Sequence, residues 1–369
     1  MAQSETFTIR TPCSSANIGP GFDVIGLALS IYLELTVTID RSKTSSELPL
    51  NCRITYEGEG ENSGDISLDP PRTSSLASPS TFSGAMANAP SPSKHMFTSR
   101  TQFPRPWPGS SGAAVVAGVM LGKEVGSLHH LDNDRLFDFC LMIERHPDNV
   151  GAALFGGFVG TYLKPLSPED VARVEIPLSE VLPEPAGGVD TGKSPPEPPF
   201  GIGHRINFPW AKEIKAIAII PDFVVATHDA RSVLPKDYSR ADVTFNLQRI
   251  ALLPVALGQS PPDPELIYLA MQDKIHQPYR STLIPGLGEI VSSMSPPRNR
   301  DSSVAEIANK IIAILKKSNP KPDLACQWRI LEPANGTEVI STPSCNNVVI
   351  FHIRPKPAEN TRSRPLSPS

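Results

Sequence analysis

Thr11-Pro12-Cys13-Ser14-Ser15-Ala16-Asn17-Ile18-Gly19-Pro20-Gly21-Phe22-Asp23 is the stretch on which the fold turns. Upstream, Phe7 and Ile9 alternate as in a strand. Downstream, Ile31, Leu33, Leu35, Val37 and Ile39 share one face and Tyr32, Glu34, Thr36 and Thr38 the other. That period of two marks a half-buried antiparallel strand. Between the strands lies a polar, glycine-rich loop with one amide and one carboxylate. Glycine removes side-chain bulk, so such a loop can approach a small polar ligand closely. The same residues could also make only a tight turn.

Three further stretches could carry chemistry. Gly109-Ser110-Ser111-Gly112 opens a small-residue helix. Free N–H groups and the helix dipole favour phosphate there, and a serine hydroxyl can ligate Mg²⁺. An ordinary serine cap would look alike. Glu144-Arg145-His146-Pro147-Asp148-Asn149 crowds polar groups behind a helix predicted over Asn133–Glu144. Glu144 offers the hard oxygen that Mg²⁺ prefers, although a solvated helix end would read the same way. Thr227-x-x-x-Arg231 and Arg280 supply two arginines that could fork onto a carboxylate, or could be surface cations. Further helices are expected over Phe245–Leu257, Pro264–Met271 and Ser303–Lys317, and buried strand over Ile214–Pro221 and Val224–Ala226. Val150–Thr161 is a glycine-punctuated apolar run.

The 369 residues allow two or three domains. A net charge of −4 gives no electrostatic reason to expect nucleic acid or an anionic membrane as partner. Five scattered cysteines without a C-x-x-C pair argue against a zinc site or a disulfide framework. The N-terminus starts polar, with no apolar core like that of a signal peptide, and no apolar run has the length of a membrane span, so a cytoplasmic setting is expected. Proline is the outlier, at 40 residues. Eight fall in Pro70–Gly109, which has no acidic residue and reads as disordered; ten fall in Pro165–Pro209, an extended insertion; five fall in the tail after residue 340.

In their joint order these stretches resemble homoserine kinase, a family of the GHMP small-molecule kinase superfamily, and are closest to its fungal members. The resemblance covers about Thr6–Asp69, Gly109–Met294 and, more weakly, Val304–Glu332. It implies an α+β fold of two domains. Residues 1–205 would form the phosphate-loop domain, with 70–108 aberrant and 165–209 inserted. Residues 206–340 would form a ferredoxin-like domain, and 341–369 a disordered tail. It implies phosphorylation of the L-homoserine hydroxyl with ATP and Mg²⁺ on the route to threonine. Ser111 and Glu144 fall on the metal positions. Gly109, Ser110, Ser111 and Gly112 fall on the phosphate loop. Asn17, Asp23, His146, Asn149, Thr227, Arg231 and Arg280 fall on the homoserine pocket. Asp23 suits the substrate ammonium, and the two arginines suit its carboxylate. Ser111, Glu144 and Arg231 would be the catalytic set. The family is often dimeric. A homoserine-binding relative without activity, or a kinase for mevalonate-like or galactose-like substrates, are the competing readings.

The chain departs from the family in two places. The family's Gly-Leu-Gly before the serines is here Trp107-Pro108-Gly109, and Pro108 lacks the N–H that such a loop presents to phosphate. One choice of codons for the family's run in this region, read out of frame, yields the sequence Thr73–Met86, so Thr73–Gly109 is expected to be an out-of-frame segment. A transcript matching the protein in frame through codons 73–109 would refute this. After Met294 the family's glycine-rich loop and its strand are absent, so a strand is expected to be missing near 295–302. Weak or no turnover is expected from these two losses.

Overall fold

In the computed structural model, the described residues are 5–40, 52–58, 94–101, 110–171, 198–223, 225, 227–296, 302–320 and 324–341. Among the described residues the main sheet has seven strands. β1 (Glu5–Ala16) pairs antiparallel with β2 (Ile25–Asp40) along nearly its whole length. Its outer face carries Thr6–Thr38 and Thr8–Thr36 hydroxyl pairs at 3.1 Å, the cross-strand contacts favoured on an antiparallel surface. Its inner face buries Phe7, Ile9, Leu33, Leu35 and Val37, as the alternation predicts. β3 (Cys52–Gly58) and β4 (Lys94–Thr101) extend the sheet beyond the far half of β2.

β4 corrects one expectation. Pro70–Pro108 reads as disordered on composition, yet Lys94–Thr101 pairs with Leu33–Asp40. This is the proline-free gap between Pro92 and Pro104, and a proline-free run can fill a ladder edge that β2 would otherwise leave open. The rest of the expected out-of-frame segment, 73–93 and 102–109, lies outside the described residues.

Three helices cover the inner face. α1 (Ser110–Val125) packs Ala113, Val116, Ala117 and Met120 toward β1, its small residues allowing close approach. α2 (Asn133–Leu141) is capped by Asp132, which accepts the Arg135 N–H. It ends at Leu141, three residues before the predicted end. The chain then turns so that Pro147 can open α3 (Pro147–Phe155) at its first position, where a missing N–H costs nothing. The glycine-punctuated run thus resolves into α3 and β5 (Phe158–Leu163), which pairs with the near end of β2. After the short α4 (Pro168–Val171), β6 (Gly203–Phe208) pairs with β5, and the expected domain boundary at 205/206 falls inside it. Phe137, Leu141, Leu154 and Phe158 are fully buried here, at about 1.5–3 kcal/mol each.

The second half begins with β7 (Ala216–Pro221) and α5 (Thr227–Ser232). Then come α6 (Arg240–Gly258), α7 (Pro264–Ala270), the single turn α8 (Gln277–Arg280), α9 (Leu287–Ser293) and α10 (Val304–Ser318). α10 opens with a capping box between Ser303 and Glu306. β8 (Cys326–Leu331) pairs antiparallel with β7, and among the described residues the second sheet has these two strands. The strand expected to be missing near 295–302 concerns residues of which 297–301 lie outside the described set. Ile290, Ile314, Leu315 and Leu324 form a small core beneath this sheet.

The chain then returns to the first sheet. Leu29 bridges Pro333, Gly156 bridges Asn335, and β9 (Glu338–Ser341) pairs with Phe7–Arg10 of β1. A Cβ on Gly156, whose φ is +78°, would lie 2.1 Å from the Gly336 nitrogen, so the crossing requires glycine. The expected tail, 342–369, lies outside the described residues. No helix among the described residues is long and apolar enough to cross a membrane.

Candidate active site

The loop between β1 and β2 is tied across its own mouth. Asn17 and Asp23 both take left-handed backbone, φ +58° and +54°, a region open to Asn and Asp at modest cost. The Asn17 side-chain oxygen accepts the Asp23 N–H at 3.0 Å. The loop is also fixed from behind. Asp148, fully buried in the first turn of α3, accepts the Asn17 N–H at 3.2 Å and the Asn149 N–H at 2.9 Å. Burial, then the charge of Asp23, pushes the Asp148 carboxyl up to about 7, against the pull of His146 and the two N–H donors. Gly26 makes room, since a Cβ there would sit 2.0 Å from the Asp148 carbonyl oxygen.

Asn149 faces two ways. Its side-chain oxygen accepts the Ser14 hydroxyl at 3.0 Å. Its Cβ lies 3.2 Å from where a Cβ on Gly112 would stand. The first turn of α1 is thereby brought against the pocket loop, with Ser111 exposed. Glu144 and His146, from the turn before α3, are hydrogen-bonded through Nδ1. Burial works to lower the His146 pKa, but the bond to Glu144 and its charge win, and the net shift is upward.

The second half completes the constellation. Arg231, on α5, places Nη2 2.8 Å from both oxygens of Asp23. Arg280, on α8, donates from Nε to the Ala230 carbonyl at 3.1 Å. The Phe22 ring backs both guanidinium groups, 5.5 Å from Arg231 and 4.9 Å from Arg280. His276 stacks on the same ring at 5.4 Å and donates from Nε2 to the Gly19 carbonyl at 2.8 Å. The α8 turn is held by Asp273, whose carboxylate accepts N–H groups of Ile275, His276 and Gln277 and the Asn246 amide. Burial first, then the charge of Arg231, depresses the Arg280 pKa, so the cluster carries crowded positive charge. An open cavity of about 360 Å³ lies along Phe22, Asp23, Val24, Pro147 and Thr161.

Asn17, Asp23, Glu144, His146, Asn149, Arg231 and Arg280 are therefore gathered around one loop, and Gly112 and Ser111 adjoin it. Ser110 and Thr227 begin α1 and α5. Gly109 lies outside the described residues. Sequence reasoning missed Phe22, Asp148, His276 and Asp273 as site residues. Phe22 and Asp148 stand in stretches already singled out, but nothing in residue type alone marks a phenylalanine as the backing of a cation pair.

Ser111 and Glu144 offer a hydroxyl and a carboxylate, hard oxygen donors that fit Mg²⁺ with phosphate oxygens and water filling the other positions. Among the described residues no cluster of three or more His, Cys, Asp or Glu could hold a metal ion.

No protein-family model matches the chain. Curated relatives do. The homoserine kinase of Saccharomyces cerevisiae is 46% identical over 350 residues, spanning 89% of this chain and 96% of the relative. That of Candida albicans is 43% identical over 303 residues, spanning 79% and 82%. Among solved structures, the homoserine kinase of Cytophaga hutchinsonii superposes with a TM-score of 0.63 at 21% identity, over 91% of this chain and 98% of that one, a likeness of fold. With sequence identity of this extent across nearly the whole length, the chain belongs to the homoserine kinase family.

Proposed function

We propose that the chain transfers the γ-phosphoryl group of ATP to the side-chain hydroxyl of L-homoserine. The observation that supports it best is the pairing of Asp23 with Arg231, backed by Phe22 and flanked by Arg280, on a loop that Asn149 links to Gly112 in the first turn of α1. An anion and two cations fit the ammonium and carboxylate of an amino acid, and a helix N-terminus fits phosphate. Asn17, His146, Asn149 and Thr227 would line the pocket around the substrate chain. Gly109, Ser110, Ser111 and Gly112 would hold the phosphates, with Mg²⁺ on Ser111 and Glu144. Bound there, the ion would offset phosphate charge.

In the reaction the hydroxyl oxygen bonds to the γ-phosphorus as the bond to the ADP oxygen breaks, and the hydroxyl proton leaves with the transferred phosphate. Asp148 is enclosed behind its bonds to Asn17 and Asn149, so it holds the pocket rather than touching the hydroxyl. Rate enhancement then rests on positioning and charge, which phosphoryl transfer allows. The division into a phosphate half, 1–205, and a half that completes the pocket, 206–340, is part of the same proposal.

A coupled assay of ADP release with L-homoserine and MgATP tests it. Formation of O-phosphohomoserine is expected, at a rate well below the ~10 s⁻¹ typical of enzymes. Preference for mevalonate would overturn the substrate assignment. Homoserine binding without any transfer at saturating MgATP would favour a sensor.

A further inference from the structure

We propose that His276 and Gln277 together clamp the Gly19 carbonyl and so fix the spacing between Asp23 and Arg280, which makes them specificity-determining residues that favour a 2-amino acid over its 3-amino isomer. The inference rests on the proposed function, because Asp23 and Arg280 are read there as the groups that meet the substrate ammonium and carboxylate.

Asp23 stands on the β1–β2 loop and Arg280 on α8, so their spacing depends on how the loop is seated on that turn. The Gly19 carbonyl accepts Nε2 of His276 at 2.8 Å and Nε2 of Gln277 at 3.3 Å. Burial holds the His276 pKa below its ordinary value, so the ring is neutral and has one N–H to place. A carbonyl can only accept, so that N–H is on Nε2. The same ring stacks on Phe22 at 5.4 Å, and Phe22 in turn meets Arg280 at 4.9 Å. Gly19 also lies close to the backbone ahead of the turn. A Cβ there would stand 3.2 Å from the Met271 Cα, and its φ of +54° favours glycine.

Both sides of the clamp are anchored. Buried Asp273 accepts the N–H groups of His276 and Gln277, so the two donors leave from a fixed turn. The Arg280 N–H bonds to the His276 carbonyl at 3.0 Å, which ties the arginine to the histidine. On the loop, the Asp23 N–H is held by the Asn17 side chain at 3.0 Å. The Asp23–Arg231 pair need not open, since a carboxylate keeps lone pairs for an ammonium as well. Moving the amino group from C2 to C3 adds one C–C bond, about 1.5 Å, between ammonium and carboxylate. A seated loop resists that change, and a loosened one accommodates it.

The test compares L-homoserine with its isomer 3-amino-4-hydroxybutanoate. Each is titrated against the full chain by ligand-observed NMR, which reads millimolar affinities. His276→Phe keeps a ring on Phe22 and removes the donor. Gln277→Leu removes the other donor, and the double variant leaves Gly19 with neither. Because either donor can serve the same carbonyl, the preference for homoserine should fall less than threefold in each single variant and about tenfold in the double. His276→Gln, which restores an N–H, should bring it back to within twofold in the Gln277→Leu background. A purely structural role would weaken both ligands alike, so an unchanged preference in the double variant overturns the clamp. Deuterium uptake in the ligand-free double variant should rise over residues 17–25 and 275–280 together. A rise throughout β1 and β2 would instead show that the pair holds the fold and not the spacing. Homoserine phosphorylation with an unchanged preference rejects the clamp alone, and a changed preference without phosphorylation rejects the proposed activity alone.

Discussion

Phe22 shows how one residue can set the character of a pocket without touching a reacting atom. Its ring meets Arg231, Arg280 and His276 at once. Phe22→Leu keeps the bulk and removes the negative ring face. Cation–π contacts of ~0.5–2 kcal/mol would be lost, so the KM for homoserine should rise about two- to thirtyfold with kcat changing less. An equal fall in kcat at constant KM would show that the ring acts elsewhere. Asp148 makes a different prediction. Burial holds its pKa near 7, above the ordinary carboxylate value, so the folded state binds a proton that the unfolded state has released between about pH 4 and 7. Its contribution is intact at low pH and fades as pH rises through 7. Asp148→Asn cannot ionise, so its stability relative to the unaltered protein should improve from pH 5 to pH 8 in urea titrations. A constant difference would mean that Asp148 stays ionised throughout. Asn17, Asp23 and Asn149 were reached through the family resemblance, because polar residues in a glycine-rich loop or at a helix start serve equally well as turns and caps. Phe22 and Asp148 were not, because their roles depend on which cation or N–H the fold brings to them.

Among the elements, α2 carries a buried polar anchor outside the pocket. Asp138 is buried and accepts the N–H groups of Gly201, Ile202 and Gly203. Arg135 binds Asp138 and donates to the carbonyls of Pro198 and Pro199, with its guanidinium over the Phe200 ring. One helical turn thus fixes the end of the proline-rich insertion as it enters β6. Asp138→Ala would leave three N–H groups and a buried guanidinium without their carboxylate, at about 3–5 kcal/mol. The urea midpoint should fall accordingly, and a change below ~1 kcal/mol would show that solvent or another group takes over. Most elements were readable from periodicity: β1, β2, α6, α7 and α10 fall where the apolar residues repeat. β4 was not, because composition averaged over Pro70–Pro108 hides the eight residues that pair. The α2 to α3 junction was half legible. Pro147 marked a break, but whether a proline ends one helix or begins the next depends on the residues packed behind it.

At the scale of the molecule, the two ends of the reaction are built differently. The amino-acid end is assembled where the halves meet, through Asp23–Arg231 and His276–Gly19, and the return of Glu338–Ser341 to β1 holds those halves together. In the proposed function the phosphate end would come from the first half alone, at the start of α1. A change in the phosphate loop should therefore weaken nucleotide binding and spare homoserine. Trp107-Pro108-Gly109 is such a change, since Pro108 has no N–H to give to phosphate and Trp107 adds bulk where the family has glycine. Restoring the family pattern with Trp107→Gly and Pro108→Leu should return one N–H to the loop. A charge-assisted bond of about 1.5–3 kcal/mol corresponds to a tenfold or greater gain in affinity for a non-hydrolysable ATP analogue with Mg²⁺. Calorimetry should show that gain with the homoserine Kd unchanged within about twofold. Tighter homoserine binding in the same variant would mean that the phosphate loop also shapes the amino-acid pocket. No gain in nucleotide affinity would mean that the missing N–H at position 108 does not limit nucleotide binding.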